Sequence, residues 1–539
     1  MKLHSWSREA RRSREAWRHA LYLLVAVVAT VPAWIVARPP IQDLPYHLAT
    51  IRVIHSLHDP AYGLGDFALT LGNTPYLGYY LVADVLSYVV GVTAANTILV
   101  CGYLAGTLFA LRALLRAMDR PELLSLLALP LLVNRLFVIG LFPFLLGIPL
   151  MLAALAVAVR FVRAPRLGSG VGIAALALAL FFVHVVPFGL FVIGFVGLVA
   201  TRPWRGWSER LLPLAPAALT AFAWLRLTPA GKRMLEGGGQ QIPFDAKVAR
   251  ASEWITYGAA PAAELWALGA LAALVVVAFA LSFQRLRDGN AAPLPRAERG
   301  LLAIPAACVA FYFLSPEGHD YVWPIAGRFP LLLALTTIPF LRVPPRAGVA
   351  VATAAVAIGL FTTGLACQRF VAFQRDELGD LEGAIASIPP RMHVAAIEGA
   401  SRSRLVVGAP LLHAGSYYQL EKGGVVAFTF AGYPHWPFAF RTSAEPPTGP
   451  RFPSGWEWRA HAPRELASYY DYVITRDASW GTDAGLKRAD EDGGAARDGG
   501  DRGAAPAAYA LHFSDASGWH VWKRVEPDVR VPAAALGHR

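Results

Sequence analysis

Long apolar stretches alternate with short arginine-rich connections from His19 to Ala366. A helix needs about 20 mainly apolar residues to cross the hydrocarbon core of a bilayer. The pattern therefore predicts a mainly α fold, a polytopic membrane helix bundle with eleven crossings. The predicted spans are residues 19–37, 94–113, 121–134, 140–160, 171–183, 187–201, 210–228, 263–283, 300–315, 326–341 and 347–366.

Arginine clusters set the orientation of these spans, because cytoplasmic connections of membrane proteins are enriched in Lys and Arg. Residues 1–18 form a basic N-terminus that we place in the cytoplasm. This charged start and the apolar run after it resemble a signal sequence, but more spans follow, so we predict an uncleaved first helix. Eleven crossings then place the C-terminus outside. The clusters that share the cytoplasmic side begin at Arg112, Arg160, Arg202, Arg285 and Arg342.

The same rule decides two ambiguous regions. Residues 76–92 are apolar, but counting them as a crossing would put the cluster at Arg112 outside, so we predict a juxtamembrane segment on the outer face. Residues 171–200 lie between two clusters that should share a side, which favours two short helices with a turn at His184. The predicted outer segments are residues 38–93, 229–262, 316–325 and the tail, residues 367–539.

The tail is more charged and has short alternating apolar runs, which predict a separate soluble α/β or α+β domain. An amphipathic pattern predicts a helix over residues 375–388. Residues 487–508 are rich in Gly, Ala and Asp, which predicts a disordered loop. The predicted strands are residues 393–397, 405–407, 425–430, 472–475, 509–513 and 519–522.

Composition agrees with a membrane protein. The chain is 55% hydrophobic and 16% charged, with a mean hydropathy of +0.43, which is too apolar for a soluble protein of this length. The net charge of +12 is spread over clusters at the ends of spans, so we assign it to topology and predict no nucleic-acid partner. The three cysteines form no CxxC pair and no disulfide framework.

The densest polar group follows the first predicted span. It contains Asp43, His47, His55, His58 and Asp59. On a helix His47 and His58 align three turns apart, about 16 Å, which is too far for one metal ion. Two interpretations stay open at this point, a functional site and an amphipathic helix whose polar residues face the lipid headgroups.

Residues Asp43-Leu44-Pro45-Tyr46-His47, directly after the first span, resemble the start of the first outer loop in the type C glycosyltransferase superfamily. This superfamily includes the aminoarabinose transferases of lipid A and the protein O-mannosyltransferases. Its loop typically opens with an acidic pair followed by a tyrosine or histidine. A juxtamembrane segment, many spans and an outer C-terminal domain are also similar. Leu44 and Asn134 stand where many relatives carry further acids, which leaves a divalent cation as an open alternative.

The resemblance implies an enzyme of the bacterial-type inner membrane that is active on its outer face. Its donor would be a polyprenyl-phosphate sugar, and its acceptor an envelope glycan, lipid or protein. Asp43 and His47 would be the catalytic residues, with Asp43 as general base in an inverting transfer. Arg328 would bind the donor phosphate, since an arginine fork matches phosphate. The alternative for Arg328 is a side chain that snorkels to the interface.

Other polar residues are candidates with open alternatives. Glu317, His319 and Asp320 could bind acceptor or metal, or could solvate a turn that begins at Pro316. His184 is an ionisable residue near membrane depth, and its alternative is a neutral histidine bonded within the bundle.

Aromatic residues in the tail, 435–438 and 452–458, predict either contacts to sugar rings or packing against the membrane domain. Nucleotide loops, serine elbows and zinc protease motifs are absent from the sequence. Two other function classes stay open, a transporter or flippase of a lipid-linked glycan and a non-catalytic membrane scaffold.

Overall fold

The computed structural model describes residues 16–17, 19–236, 238–256, 261–289, 294–319, 322–397, 401–427, 430–446, 466–476 and 508–525. Helices dominate, and a small sheet lies in the tail. The first helices are α1 (His19–Ala33), α2 (Leu44–Ser56), α3 (Leu77–Val90), α4 (Val92–Ala117), α5 (Arg135–Ile139), α6 (Phe142–Arg163), α7 (Leu167–Val183), α8 (Val185–Ala200) and α9 (Trp207–Leu211). The later ones are α10 (Ala215–Leu227), α11 (Pro229–Glu236), α12 (Phe244–Arg250), α13 (Pro261–Arg287), α14 (Arg296–Arg299), α15 (Ala303–Leu314), α16 (Phe329–Thr337), α17 (Pro345–Asp376), α18 (Leu381–Ser387) and α19 (Ser416–Lys422).

The predicted helix bundle is found, with apolar helices packed around one large core. Within the described residues, four helices are long and apolar enough to cross a membrane, namely α4, α6, α17 and residues Ala263–Arg287 of α13. A fifth crossing is counted if residues Trp204–Leu227 and α11, bent by 77°, form one span. The other predicted spans coincide with shorter apolar helical segments. The eleven crossings and their orientation therefore stay a prediction.

The predicted hairpin at His184 is observed as α7 and α8, which meet at this residue. The segment over residues 76–92 is also helical, and Gly91 separates it as α3 from the long α4. The predicted span 121–134 is a 3₁₀ helix, Glu122–Leu131, which contains Pro130. Pro130 removes one backbone donor near the end of this segment.

The tail contains a mixed five-stranded sheet. Its strands are β4 (His393–Ile397), β5 (Val425–Val426), β7 (Tyr472–Arg476), β8 (Tyr509–Ser514) and β9 (Trp519–Arg524), in the order β5-β4-β7-β9-β8. β4 pairs in parallel with β5 and β7, and β9 pairs antiparallel with β7 and β8. The predicted strand at 405–407 is wrong, because these residues form bends. Residues 452–458 and nearly all of 487–508 lie outside the described residues.

The predicted helix over residues 375–388 is broken into two. α17 runs past residue 367, the predicted start of the tail, and ends at Asp376. α18 then begins after Asp380, whose carboxylate accepts a hydrogen bond from the backbone of Gly383 at 2.8 Å. A side-chain oxygen at this position satisfies a backbone donor that the first turn of a helix leaves unpaired.

The segment 38–93 is joined to the tail along much of its length. Its strand β1 (Phe67–Leu69) pairs antiparallel with β6 (Phe438–Phe440) of the tail. Arg52 donates to the carbonyl of Leu420 at 2.9 Å, and Arg38 pairs with Glu421 at 2.8 Å. The tail is therefore fixed against the segment that carries Asp43. A second short pairing joins β2 (Gly239–Gln240) to β3 (Gly318–His319).

Candidate active site

Asp43 precedes the first turn of α2, and its backbone is held by the end of α5. The amides of Gln42 and Asp43 donate to the carbonyls of Val138 and Ile139, both at 2.9 Å. Although Asp43 occupies the N-cap position, its side chain accepts no capping hydrogen bond. The carboxylate is therefore free to contact groups outside the helix. Gln42 Nε2 donates to its Oδ1 at 3.2 Å.

Asn134 and Gly140 shape the short helix that supports Asp43. Asn134 caps α5 by accepting hydrogen bonds from the amides of Leu136 and Phe137. Gly140 ends α5 in a left-handed conformation with φ at 95°, which favours glycine. From the resemblance, an acid was expected at the position of Asn134. The asparagine found there has a structural role, because its side chain caps α5.

His47 is buried one turn along α2, and both ring nitrogens have protein partners. Nε2 lies 2.8 Å from the carbonyl of Gly140, and Nδ1 lies 2.9 Å from the hydroxyl of Tyr80. Because a carbonyl only accepts, Nε2 carries the proton and Nδ1 accepts from Tyr80 in the neutral ring. Burial lowers the pKa of His47 to about 4, although Asp43 opposes this shift. His47 is therefore neutral near pH 7 and ties α2 to Gly140.

One cavity brings together four of the residues selected from the sequence, Asp43, His47, His184 and Arg328. They come from α2, the α7–α8 turn and the 3₁₀ turn Ala326–Arg328 before α16. Asp43 has 15% of its side chain exposed. Arg328 is buried at 5% exposure. The cavity thus contains a carboxyl side chain, Asp43, and a guanidinium side chain, Arg328, among aromatic walls.

Arg328 and His184 differ in how their polar atoms are used. Among the described residues, Arg328 Nε has no hydrogen-bond partner, and the guanidinium lies 5.7 Å from the ring centre of Phe144. His184 Nδ1 accepts from the amide of Val186 at 3.1 Å, so it caps α8, and its ring stacks on Tyr76. A buried guanidinium without a full set of acceptors is costly, and an anionic ligand would supply them.

Glu317 and His319 do not line this cavity. His319 belongs to β3. Glu317 lies 3.5 Å from Arg250, and burial raises the pKa of its carboxyl group against the nearby Arg250 and Lys247. Asp320 lies outside the described residues. In the described part of the chain, no group of three or more His, Cys, Asp or Glu side chains is arranged to hold a metal ion.

The tail supplies one wall of the cavity. Phe430, Tyr433, His435 and Trp436 line it, and Trp436 Nε1 donates to the hydroxyl of Thr50 on α2 at 3.2 Å. The aromatic run at 435–438 gave a partial signal of this contact. His413, which lies 3.5 Å from Asp43, stands in a stretch without any recognisable motif, so the sequence offered no signal for it.

A second cavity adjoins the first and is almost entirely apolar. It shares Tyr76, Val322 and His435 with the first cavity. Its other walls come from α7, α8, α10 and α11, and include Phe181, Phe188, Ala221, Trp224 and Met234.

Comparison with solved structures gives this arrangement a context. Two crystal structures of ArnT from Cupriavidus metallidurans match, each over 95% of this chain and 98% of ArnT. The apo structure has 12% identity and a TM-score of 0.56, and the structure bound to undecaprenyl phosphate has 14% and 0.54. The chain shares its fold with ArnT. At this level of identity the likeness concerns the fold. No family model and no curated protein sequence matches the chain.

Proposed function

We propose that the protein is a membrane glycosyltransferase that takes a sugar from a polyprenyl-phosphate donor in the Asp43 cavity. The observation that carries the proposal is the meeting of Asp43 and Arg328 in one cavity. A transfer of this kind needs a base for the acceptor and a cation for the leaving phosphate. The fold shared with ArnT, one of whose structures contains undecaprenyl phosphate, supports the same class of donor.

In the proposed reaction, the carboxylate of Asp43 takes the proton of an acceptor hydroxyl. The acceptor oxygen attacks the anomeric carbon, and the bond between that carbon and the phosphate oxygen breaks. The electron pair leaves with the polyprenyl phosphate, whose negative charge Arg328 stabilises. Attack from the side opposite the phosphate inverts the anomeric centre. The Asp43 proton is lost to solvent afterwards.

The two adjoining cavities suit the two parts of such a donor. The polar cavity would hold the sugar and the phosphate, with the aromatic wall from the tail against a sugar face. The apolar cavity would hold the first isoprene units. His184 and His47 then orient the walls rather than take part in the proton transfer, because both are used in hydrogen bonds within the protein.

The proposal also covers the side of the membrane on which the reaction takes place and the acceptor of the sugar. The arginine clusters support a cavity at the outer face of the membrane, with the tail outside. The membrane would be a bacterial-type inner membrane. The acceptor would be an envelope glycan, lipid or protein. Use of a divalent cation stays an open alternative, and its candidate ligands are Glu317, His319 and Asp320. Glu317 and His319 do not line the cavity.

The test combines binding with product analysis. Purified protein in detergent is titrated with undecaprenyl phosphate, and envelope lipids and glycans are analysed by mass spectrometry in a strain that lacks the gene and carries each variant. We expect Asp43→Asn to bind undecaprenyl phosphate normally and to restore no sugar. Arg328→Gln should weaken binding about tenfold or more, since hydrogen bonds to charged groups contribute about 1.5–3 kcal/mol.

Asp84→Asn is the matched control, because Asp84 is also a partly buried acid of segment 38–93, but it pairs with His55 at 2.8 Å and lies outside the cavity. It should restore the sugar. Full restoration by Asp43→Asn would remove Asp43 from the mechanism. An unchanged glycan profile in the strain without the gene would overturn the transferase proposal and favour the flippase or the scaffold.

A further inference from the structure

We infer that His413, a residue of the tail, is a positioning residue for Asp43, so that the tail completes the active site. This inference rests on the proposed function, because it concerns the base of that reaction. Asp43 belongs to segment 38–93, and His413 is far away in the chain. Their contact exists only because the tail is packed on that segment.

The contact joins one ring nitrogen of His413 to one carboxylate oxygen of Asp43. His413 Nε2 lies 3.5 Å from Asp43 Oδ1, and both side chains are largely buried, at 3% and 15% exposure. Oδ1 is also the oxygen that accepts from Gln42 Nε2 at 3.2 Å. With both donors on Oδ1, the carboxylate is oriented so that Oδ2 can face the acceptor hydroxyl. Catalytic hydrogen bonds are often long before substrate binds and shorten in the complex.

A second link runs through the same part of the tail. The amide of Ala409 donates to Gln42 Oε1 at 3.3 Å. The Gln42 side chain therefore bridges the tail backbone and the Asp43 carboxylate, one end on each. Two contacts from residues 409–413 thus converge on residues 42–43, and a shift of this part of the tail would move the base.

Aromatic packing fixes the ring of His413. Its centre lies 4.1 Å from the ring centre of Tyr46 and 5.9 Å from that of Phe430. Tyr46 and Phe430 stack on each other at 4.2 Å. Because Tyr46 follows Asp43 by less than one turn of α2, the same packing sets the position of the imidazole relative to the carboxylate. A ring held in this way loses little further freedom when it orients its neighbour.

The experiment uses a pair of variants of the full-length protein that differ mainly in a hydrogen-bond donor. His413→Gln keeps an amide donor at a similar reach, and His413→Met fills the same length without one. Two quantities are measured, the initial rate of sugar appearance in the envelope after induction, per amount of protein, and the affinity of purified protein for undecaprenyl phosphate. His512→Met is the control, since His512 is an exposed histidine of the tail whose Nε2 donates to the carbonyl of Ser387 at 3.1 Å.

We expect His413→Met to lower the rate of sugar transfer about tenfold or more. Its affinity for undecaprenyl phosphate should stay within about twofold of the wild type, because the lost contact acts on the Asp43 base and not on the sugar donor. His413→Gln should recover most of the rate. If His413→Met fails to accumulate, His413→Leu and the Gln42→Met variant, which removes the second donor to Oδ1, address the same contact.

Three results would overturn the inference. The first is a wild-type rate in His413→Met. The second is an equal loss of rate in the Gln and Met variants. The third is a loss of undecaprenyl phosphate binding in step with the rate, which would indicate a structural role. Failure of the proposed function is distinguishable, because then the wild-type protein itself would neither bind undecaprenyl phosphate nor restore a sugar, and the inference would fall with it.

Discussion

Gly140 approaches Asp43 so closely that a Cβ atom on Gly140 would lie 3.2 Å from the Cβ of Asp43. The same atom would lie 3.1 Å from Ile41 Cγ2. The carbonyl of Gly140 also holds His47. The position of the proposed base therefore depends on the absence of a side chain at residue 140.

Gly140→Ala should destabilise the protein and reduce sugar transfer. The residue has φ at 95°, and strain in that region costs about 1–3 kcal/mol for a residue with a side chain. The added methyl group would also push Asp43 from its place. Thermal unfolding and the glycan assay measure the two effects. Gly364→Ala, where the new Cβ would meet no atom within 4 Å, should leave both unchanged. A Gly140→Ala protein with normal stability would show that α5 adapts.

Stability should fall as the pH decreases from about 6.5 towards about 4, and His47 should account for part of this loss. An unfolded histidine takes a proton near pH 6.5, whereas burial holds the pKa of His47 at about 4. The contribution of His47 is fully present above pH 6.5 and is lost as the pH falls through this interval, by about 3 kcal/mol in all.

The measurement is thermal unfolding of the detergent-solubilised protein between pH 4.5 and 7.5, for the wild type and for His47→Gln. The variant should show a smaller decrease at low pH. Some decrease should remain, because burial also lowers the pKa of His413. Identical pH dependence in the two proteins would mean that His47 is not held neutral by the fold.

Ala221→Phe should weaken binding of polyprenyl phosphates, short ones included, because all of them carry the first isoprene units. Ala221 lines the apolar cavity, and a phenyl ring there would occupy space meant for isoprene units. Titration with undecaprenyl phosphate and with farnesyl phosphate measures the two affinities. Ala218→Phe, on the same helix and exposed, is the control and should bind both as the wild type does. Unchanged affinity of Ala221→Phe for both ligands would place the lipid chain elsewhere.

The sequence was informative about Asp43 and Arg328 for different reasons. Asp43 stands in a short motif directly after a span, and Arg328 is an arginine at the end of an apolar stretch, where it is disfavoured without a partner. Both features are local in the chain, and both residues line the cavity. Glu317 and His319 had an equally polar local pattern, but Glu317 is paired with Arg250 and neither residue lines that cavity.

The apolar and basic pattern by itself determined the helical bundle and the hairpin at His184, because hydropathy and helix breaks act over a few neighbouring residues. Four of the six predicted strands of the tail were found close to their predicted bounds for the same reason. Only the tertiary structure decided that His413 meets Asp43, that Asn134 caps α5 and that β1 pairs with β6. These contacts join residues far apart in the chain, and they follow from how the packed elements fit together, which no local pattern of residues contains.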